Sequence, residues 1–290
     1  MESRQAIASR TFRLDLESEP GRVVRGRIDY PEAAETDGRR LPFVLVLHGF
    51  KGFMNWAFFP ELGRRLAAAD LVAVSFNMSG SGVGEDLENF TEEEAFAKNT
   101  YTRELEDVDS VREFVERSGL PWANPARAGI FGFSMGGAVA LLHAAEREDY
   151  RAIATWSSVF RTDLWGQDVV SLWERQGYLM IHNARTKQDL RLDLDMLHDL
   201  RQNADRLDVR SACGRIRIPT LVVHGSEDET VPFSEGEALA RALDPELVRF
   251  LPAVGAGHTL GGRHPLHETP PVLERLLAET VDHFHRHLTA

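Results

Sequence analysis

The sequence predicts an α/β fold: a mostly parallel, twisted sheet with helices on both faces and an inserted cap. Three observations carry that prediction. Apolar runs of strand length, such as Phe43-Val44-Leu45-Val46-Leu47, have the composition of strands buried on both faces. These runs alternate with stretches of helical periodicity, the order expected of a parallel sheet with crossover helices. One long stretch, residues 161–211, breaks the alternation while staying globular in composition. Hydrophobic residues make up 43% of the 290, enough to fill a sizeable core.

Taken in order, residues 11–16 and 23–30 alternate around a turn at Glu19-Pro20-Gly21 and predict a hairpin. Residues 31–40 are polar and predict a surface loop. The first buried strand, 43–47, is followed by a helix over 61–69 and a second buried strand over 71–76. The glycine-rich Ser79-Gly80-Ser81-Gly82-Val83-Gly84 does not fit a phosphate-binding G-x-x-x-x-G-K-[ST] loop, and reads as a loop rim near the site. Thr91 with Glu92, Glu93 and Glu94 marks a helix start. Leu105, Val108, Val111, Phe114 and Val115 give residues 101–117 a helical face. Strands follow at 128–133, 152–156, 220–224 and 247–251, with helices at 135–147, 238–243 and 271–287; every crossover should be right-handed. Within 161–211, the runs 178–182 and 189–192 flank a polar turn and read as a hairpin. The expected organisation is a core from 1–160 and 212–290, with the cap as an insertion between them.

A formal charge of −12 and the lack of a basic stripe argue against nucleic acid as a partner. Lys51, Lys98 and Lys187 are the only lysines, a composition compatible with salt adaptation or with a GC-rich genome. Cys213 is the only cysteine, which excludes an intrachain disulfide and reads as an inert thiol. The N-terminal stretch shows no apolar signal core, and no apolar run approaches a membrane span; a cytoplasmic protein without membrane contact is expected.

Gly132-Phe133-Ser134-Met135-Gly136 fits G-x-S-x-G. The motif alone is weak, but an apolar strand leads into it and a helix-prone run leads out. That context puts Ser134 on a sharp corner at a helix N-terminus, where the dipole favours developing negative charge. Three further motifs each follow a strand: Leu47-His48-Gly49-Phe50-Lys51-Gly52 and His224-Gly225-Ser226-Glu227-Asp228-Glu229-Thr230-Val231-Pro232 after buried strands, and Gly255-Ala256-Gly257-His258-Thr259 just after the last strand.

On these four motifs, from Phe43 to the C-terminus, the chain resembles the α/β-hydrolase superfamily, and within it the serine esterases of the dienelactone-hydrolase-like and cinnamoyl-esterase-like group. The resemblance implies Ser134 as nucleophile, His258 as base and Asp228, rather than Glu227 or Glu229, as orienting acid. The order Ser, Asp, His agrees with this fold. It further implies that the backbone N–H groups of Phe50 and Met135 stabilise the oxyanion, and that His48 shapes its loop instead of reacting. Dienelactone hydrolases proper usually carry a cysteine where this chain has Ser134.

His264 and His267 are rivals to His258 but lie beyond its glycine frame and read as surface loop residues. His283, His285 and His287 read as a solvated helix end rather than a metal site, and no cofactor or metal is expected. Of the aromatics Phe50, Phe53, Trp56, Phe58, Trp156, Phe160, Trp165, Trp173 and Tyr178, those chosen as substrate contacts are Trp156, Trp165, Trp173 and Tyr178. The expected function is hydrolysis of a small-molecule carboxylic ester, with an aryl or hydrophobic acyl group, through an acyl-enzyme. Two alternatives stand beside it. One is a peptidase or acylaminoacyl-type amide hydrolase, whose relatives often carry a large extra domain absent here. The other is a non-catalytic binding protein on the same fold. The oligomeric state is open, a homodimer being one option.

Overall fold

A computed structural model describes residues 5–17 and 19–290. Residues 1–4, where the stretch without an apolar signal core begins, lie outside the described residues. The chain opens with β1 (Ile7–Asp15) and β2 (Val23–Pro31), then β3 (Leu41–Leu47), α1 (Phe59–Ala68) and β4 (Val72–Asn77). Next come α2 (Glu93–Ala97), α3 (Tyr101–Phe114), β5 (Ala123–Phe133), α4 (Met135–Arg147) and β6 (Tyr150–Trp156). The segment that interrupts the alternation holds α5 (Gln167–Gln176), β7 (Tyr178–Asn183), β8 (Gln188–Asp193), α6 (Asp195–Gln202) and α7 (Val209–Arg215). The chain closes with β9 (Thr220–Gly225), α8 (Phe233–Ala242), β10 (Val248–Ala253) and α9 (Pro271–Thr289).

Eight strands form one sheet in the order β1-β2-β4-β3-β5-β6-β9-β10. From β4 to β10 all neighbours are parallel; β1 and β2 add an antiparallel edge. The apolar run in β3 has a direct physical cause. Phe43, Leu45 and Leu47 enter one core layer and Val44 and Val46 the other, so both faces exclude water. On one face α1 and α9 pack through Leu62, Leu66, Leu276 and Phe284. On the other, α3 and α4 pack through Leu105, Val108, Val139 and Leu142. Thr100 starts α3 by accepting from the Arg103 N–H, 3.1 Å away.

Parallel strands share one carboxyl edge, and β3, β5, β6, β9 and β10 end there. The loops after them hold all four motifs. The hairpin β7–β8 is separate from the main sheet, and Leu190 and Leu192 from it join the core layer of α3 and α4 together with Trp173 and Met196.

Several local expectations need correction. A 3₁₀ turn at Glu32–Glu35 buries Ala34 inside the predicted surface loop. Residues 79–84 are buried rather than a rim, because the Asp107 carboxylate accepts from Ser79 N at 2.7 Å and Ser79 Oγ at 2.9 Å and pins the loop inward. Helix α7 runs across the expected boundary at 211/212; Asp208 caps it through Arg210 N and Ser211 N, and it packs on α4. His283 is buried, with its Nε2–H donated to the Ile153 carbonyl at 2.9 Å, so it ties α9 to β6 instead of facing water. Burial pushes its pKa down to about 4, which keeps it neutral.

Candidate active site

Ser134 follows β5 directly and has φ 55° and ψ −123°. A side chain other than glycine pays for such a backbone, so the surroundings must impose it. They do: the Ser134 N–H is donated to the Trp156 carbonyl at 2.9 Å, and α4 begins at the next residue. Two glycines permit the close packing of the serine turn against the loop after β3. A Cβ on Gly136 would sit 2.2 Å from the His48 carbonyl oxygen, and one on Gly49 would sit 2.8 Å from the Ser134 Cβ.

Ser134 Oγ lies 3.2 Å from His258 Nε2, and His258 Nδ1 lies 2.8 Å from Asp228 Oδ2. With Nδ1–H donated to the carboxylate, the lone pair of Nε2 faces the serine hydroxyl. The other carboxylate oxygen accepts from Thr230 N at 2.9 Å and Val231 N at 2.8 Å. Burial alone would raise the Asp228 pKa. Hydrogen bonds from His224, His258 and the Val231 amide outweigh it and hold the group well below the usual carboxylate range. The histidine loop is braced twice: Ser157 Oγ donates to the His258 carbonyl at 2.9 Å, and Glu227 N to the Ala256 carbonyl at 3.0 Å.

Among the described residues, the backbone N–H groups of Phe50 and Met135 have no acceptor within the protein. Both residues line the same cavity as Ser134 and His258. His48 sits behind this wall, buried, with Nδ1–H donated to the Gly49 carbonyl at 2.9 Å and Nε2 accepting from Met78 N at 3.2 Å. Desolvation pushes its pKa down to about 4, so it is a neutral brace.

The cavity measures about 440 Å³. Its apolar wall includes Trp56, Phe59, Phe133, Val159, Leu164 and Val231; Lys51, Arg161 and Glu235 bring charge to it. None of the four aromatics chosen from the sequence as substrate contacts is part of the wall. Trp156 is wholly buried in the core, its ring 4.9 Å from Phe58 and its Nε1–H bonded to Thr280 Oγ1 at 3.0 Å. It serves the site only through its carbonyl. Trp173 is wholly buried too and packs edge-on against Trp165, 5.1 Å between centroids. Tyr178 lies under the Arg191 guanidinium at 5.2 Å. What these elements bring to the cavity is instead Arg161 and Leu164, at the start of the inserted segment. Nothing in residue type marks those two in advance; only the path of the chain after β6 does.

The rival histidines have other places. His264 is half-buried and accepts from Ala57 N at 3.1 Å, which corrects its reading as a surface residue. His267 is exposed. Burial raises the Cys213 thiol to about 12, so it stays protonated and inert. Among the described residues no cluster of three or more His, Cys, Asp or Glu could hold a metal ion, and no helix is long and apolar enough to cross a membrane.

Residues 59–280 match the prolyl oligopeptidase family. An uncharacterized peptidase of Bacillus subtilis (strain 168), YuxL, is 27% identical over 243 residues, which cover 80% of this chain but 33% of that protein. The chain thus spans about a third of the length of this curated relative. Among solved structures, Est1E from Butyrivibrio proteoclasticus superposes with a TM-score of 0.66 at 16% identity, covering 97% of this chain and 99% of that one. Est1E has also been solved with ferulic acid bound. Dienelactone hydrolase from Anabaena variabilis gives a TM-score of 0.62 at 17% identity, covering 99% of this chain and 100% of that one. At these identities the structural likeness speaks to fold, and the fold is that of the α/β-hydrolases.

Proposed function

This chain belongs to the prolyl oligopeptidase family of serine hydrolases, and we propose that it cleaves carboxylic esters of small, largely apolar acids or alcohols through a covalent acyl-Ser134 intermediate. The observation that supports this most is the continuous chain of hydrogen bonds from Ser134 through His258 to Asp228 at the wall of an apolar cavity. His258 Nε2 takes the hydroxyl proton as Ser134 Oγ attacks the carbonyl carbon. The Asp228 carboxylate stabilises the imidazolium that forms and keeps its ring in orientation. The N–H groups of Phe50 and Met135 point their dipoles at the oxygen that becomes negative. His258 then returns the proton to the leaving alcohol, and water, activated by the same imidazole, releases the acid. Leu164 and Arg161 carry the cap segment, residues 161–211, to the mouth of the cavity.

A cavity of this volume suits a small molecule rather than a long chain. The ferulic acid seen on Est1E fits the aryl-acyl reading. Amide hydrolysis is the second reading, favoured by the family match and by the peptidase YuxL. The experiment that separates them is a panel of para-nitrophenyl esters, aryl esters and aminoacyl amides, assayed on the wild type and on Ser134→Ala. Ester turnover lost by several orders of magnitude in the variant, with kcat/KM for amides far lower, supports the proposal. Amide turnover equal to or above ester turnover contradicts it.

A further inference from the structure

The sign of charge in the cavity runs against that of the whole chain. The protein has 45 acidic residues against 33 Lys and Arg. Yet the charged residues that line the cavity with Ser134 include two cations, Lys51 and Arg161, and one carboxylate, Glu235. Lys51 follows the proposed oxyanion residue Phe50 directly and is held at φ 55°. Lys51 as a whole is half-buried, and its ammonium donates to the His182 carbonyl, 3.1 Å away, in β7. Among the described residues no carboxylate pairs with it. A single neutral carbonyl leaves two of three donors open and the charge uncompensated, which is costly at a partly buried site unless something anionic arrives. Burial accordingly lowers the Lys51 pKa.

Glu235 does not neutralise the pair. One of its oxygens accepts from Phe160 N at 2.8 Å, and the other stands 3.7 Å from Arg161 Nε, a long contact for a guanidinium whose side chain is 62% exposed. Arg161 therefore keeps most of its fork free at the wall of the cavity.

We infer that Lys51 and Arg161 form an anion subsite of the cavity, so that the preferred ester carries a carboxylate in addition to the scissile bond. This rests on the ester-hydrolase reading of Ser134. The apolar wall holds the hydrocarbon part, and the two cations fix the orientation of the chain or ring that bears the carboxylate. A charge-assisted contact of this kind discriminates by roughly 10- to 100-fold against an uncharged isostere.

Two matched pairs, in which a methyl group stands in place of the carboxylate, test it, one on the acyl side and one on the alcohol side: monomethyl adipate against methyl hexanoate, and para-carboxyphenyl butyrate against para-methylphenyl butyrate. The quantity read is the ratio of kcat/KM, charged over neutral, in wild type, Lys51→Met, Lys51→Arg and Arg161→Gln. For at least one pair the ratio should fall about tenfold or more in Lys51→Met and in Arg161→Gln, and be retained in Lys51→Arg. The long unbranched Met keeps the left-handed backbone no more strained than Lys does. Ratios for both pairs that match the wild type, including the case where Lys51→Met slows both members alike because it only braces the loop on His182, overturn the subsite while leaving ester hydrolysis standing. Failure of wild type to turn over any of the four esters above the Ser134→Ala blank overturns the ester reading itself, and the subsite with it.

Discussion

At the scale of single residues, the proposed site depends on where one carboxylate and one imidazole are held. Asp228 is buried, whereas Glu227 and Glu229 beside it are exposed, and only Asp228 reaches His258. Asp228→Asn preserves the size of the side chain but offers an amide where the Nδ1–H needs an acceptor, which favours the wrong imidazole tautomer. Turnover should fall by about 10⁴-fold with the fold intact. Glu227→Gln and Glu229→Gln should each change kcat less than about threefold, because both side chains point into solvent. Steady-state kinetics of the three variants check this, and a loss concentrated in Glu227→Gln would move the acid by one residue. These positions are legible in the sequence because each sits in a short, glycine-marked loop after an apolar strand of the sheet, and the chemistry needs that geometry. His48 and His224 are not distinguishable there from reactive histidines by type. Their roles depend on burial: His48 holds Met78 N, and His224 Nε2 lies 2.9 Å from the Val231 carbonyl and 3.4 Å from Asp228 Oδ2.

At the scale of elements, the interruption between β6 and β9 is legible because apolar alternation stops there, and even the hairpin β7–β8 follows from its pattern. Which faces its side chains take is not. Amphipathic period tells that Trp173 faces something apolar in α5, but not whether that is a ligand or α6 and the hairpin. The structure answers with packing, since Trp173 joins the core layer with Leu190, Leu192 and Met196. Trp173→Ala should therefore lower stability by about 3–5 kcal/mol. It should also leave the kcat/KM ratio between an acetyl ester and a bulky aryl ester unchanged. Leu164→Ala, at the cavity wall, should shift that ratio several-fold with little effect on stability. Denaturant unfolding and paired kinetics separate the two, and a selectivity change in Trp173→Ala without loss of stability would contradict the assignment. His283 misleads for a related reason. It shares a helix end with exposed His285, yet the turn of α9 that carries it faces β6.

At the scale of the whole molecule, fold class and element order are readable because parallel strands covered on both faces must be continuously apolar. The spatial order is not, since the exchange of β3 and β4 in the sheet leaves no mark on either strand. What that order achieves is functional. It sets β3, β5, β6, β9 and β10 side by side, so that loops as far apart in the chain as those holding His48 and His258 converge at one edge on Ser134. The proposal that this convergence makes a nucleophile is tested most directly by covalent trapping. Purified protein treated with a fluorophosphonate, then digested and examined by mass spectrometry, should carry one adduct, on Ser134. His258→Ala should slow its formation by at least about a thousandfold. No adduct on the wild type, or an adduct elsewhere with Ser134 unmodified, would contradict the account.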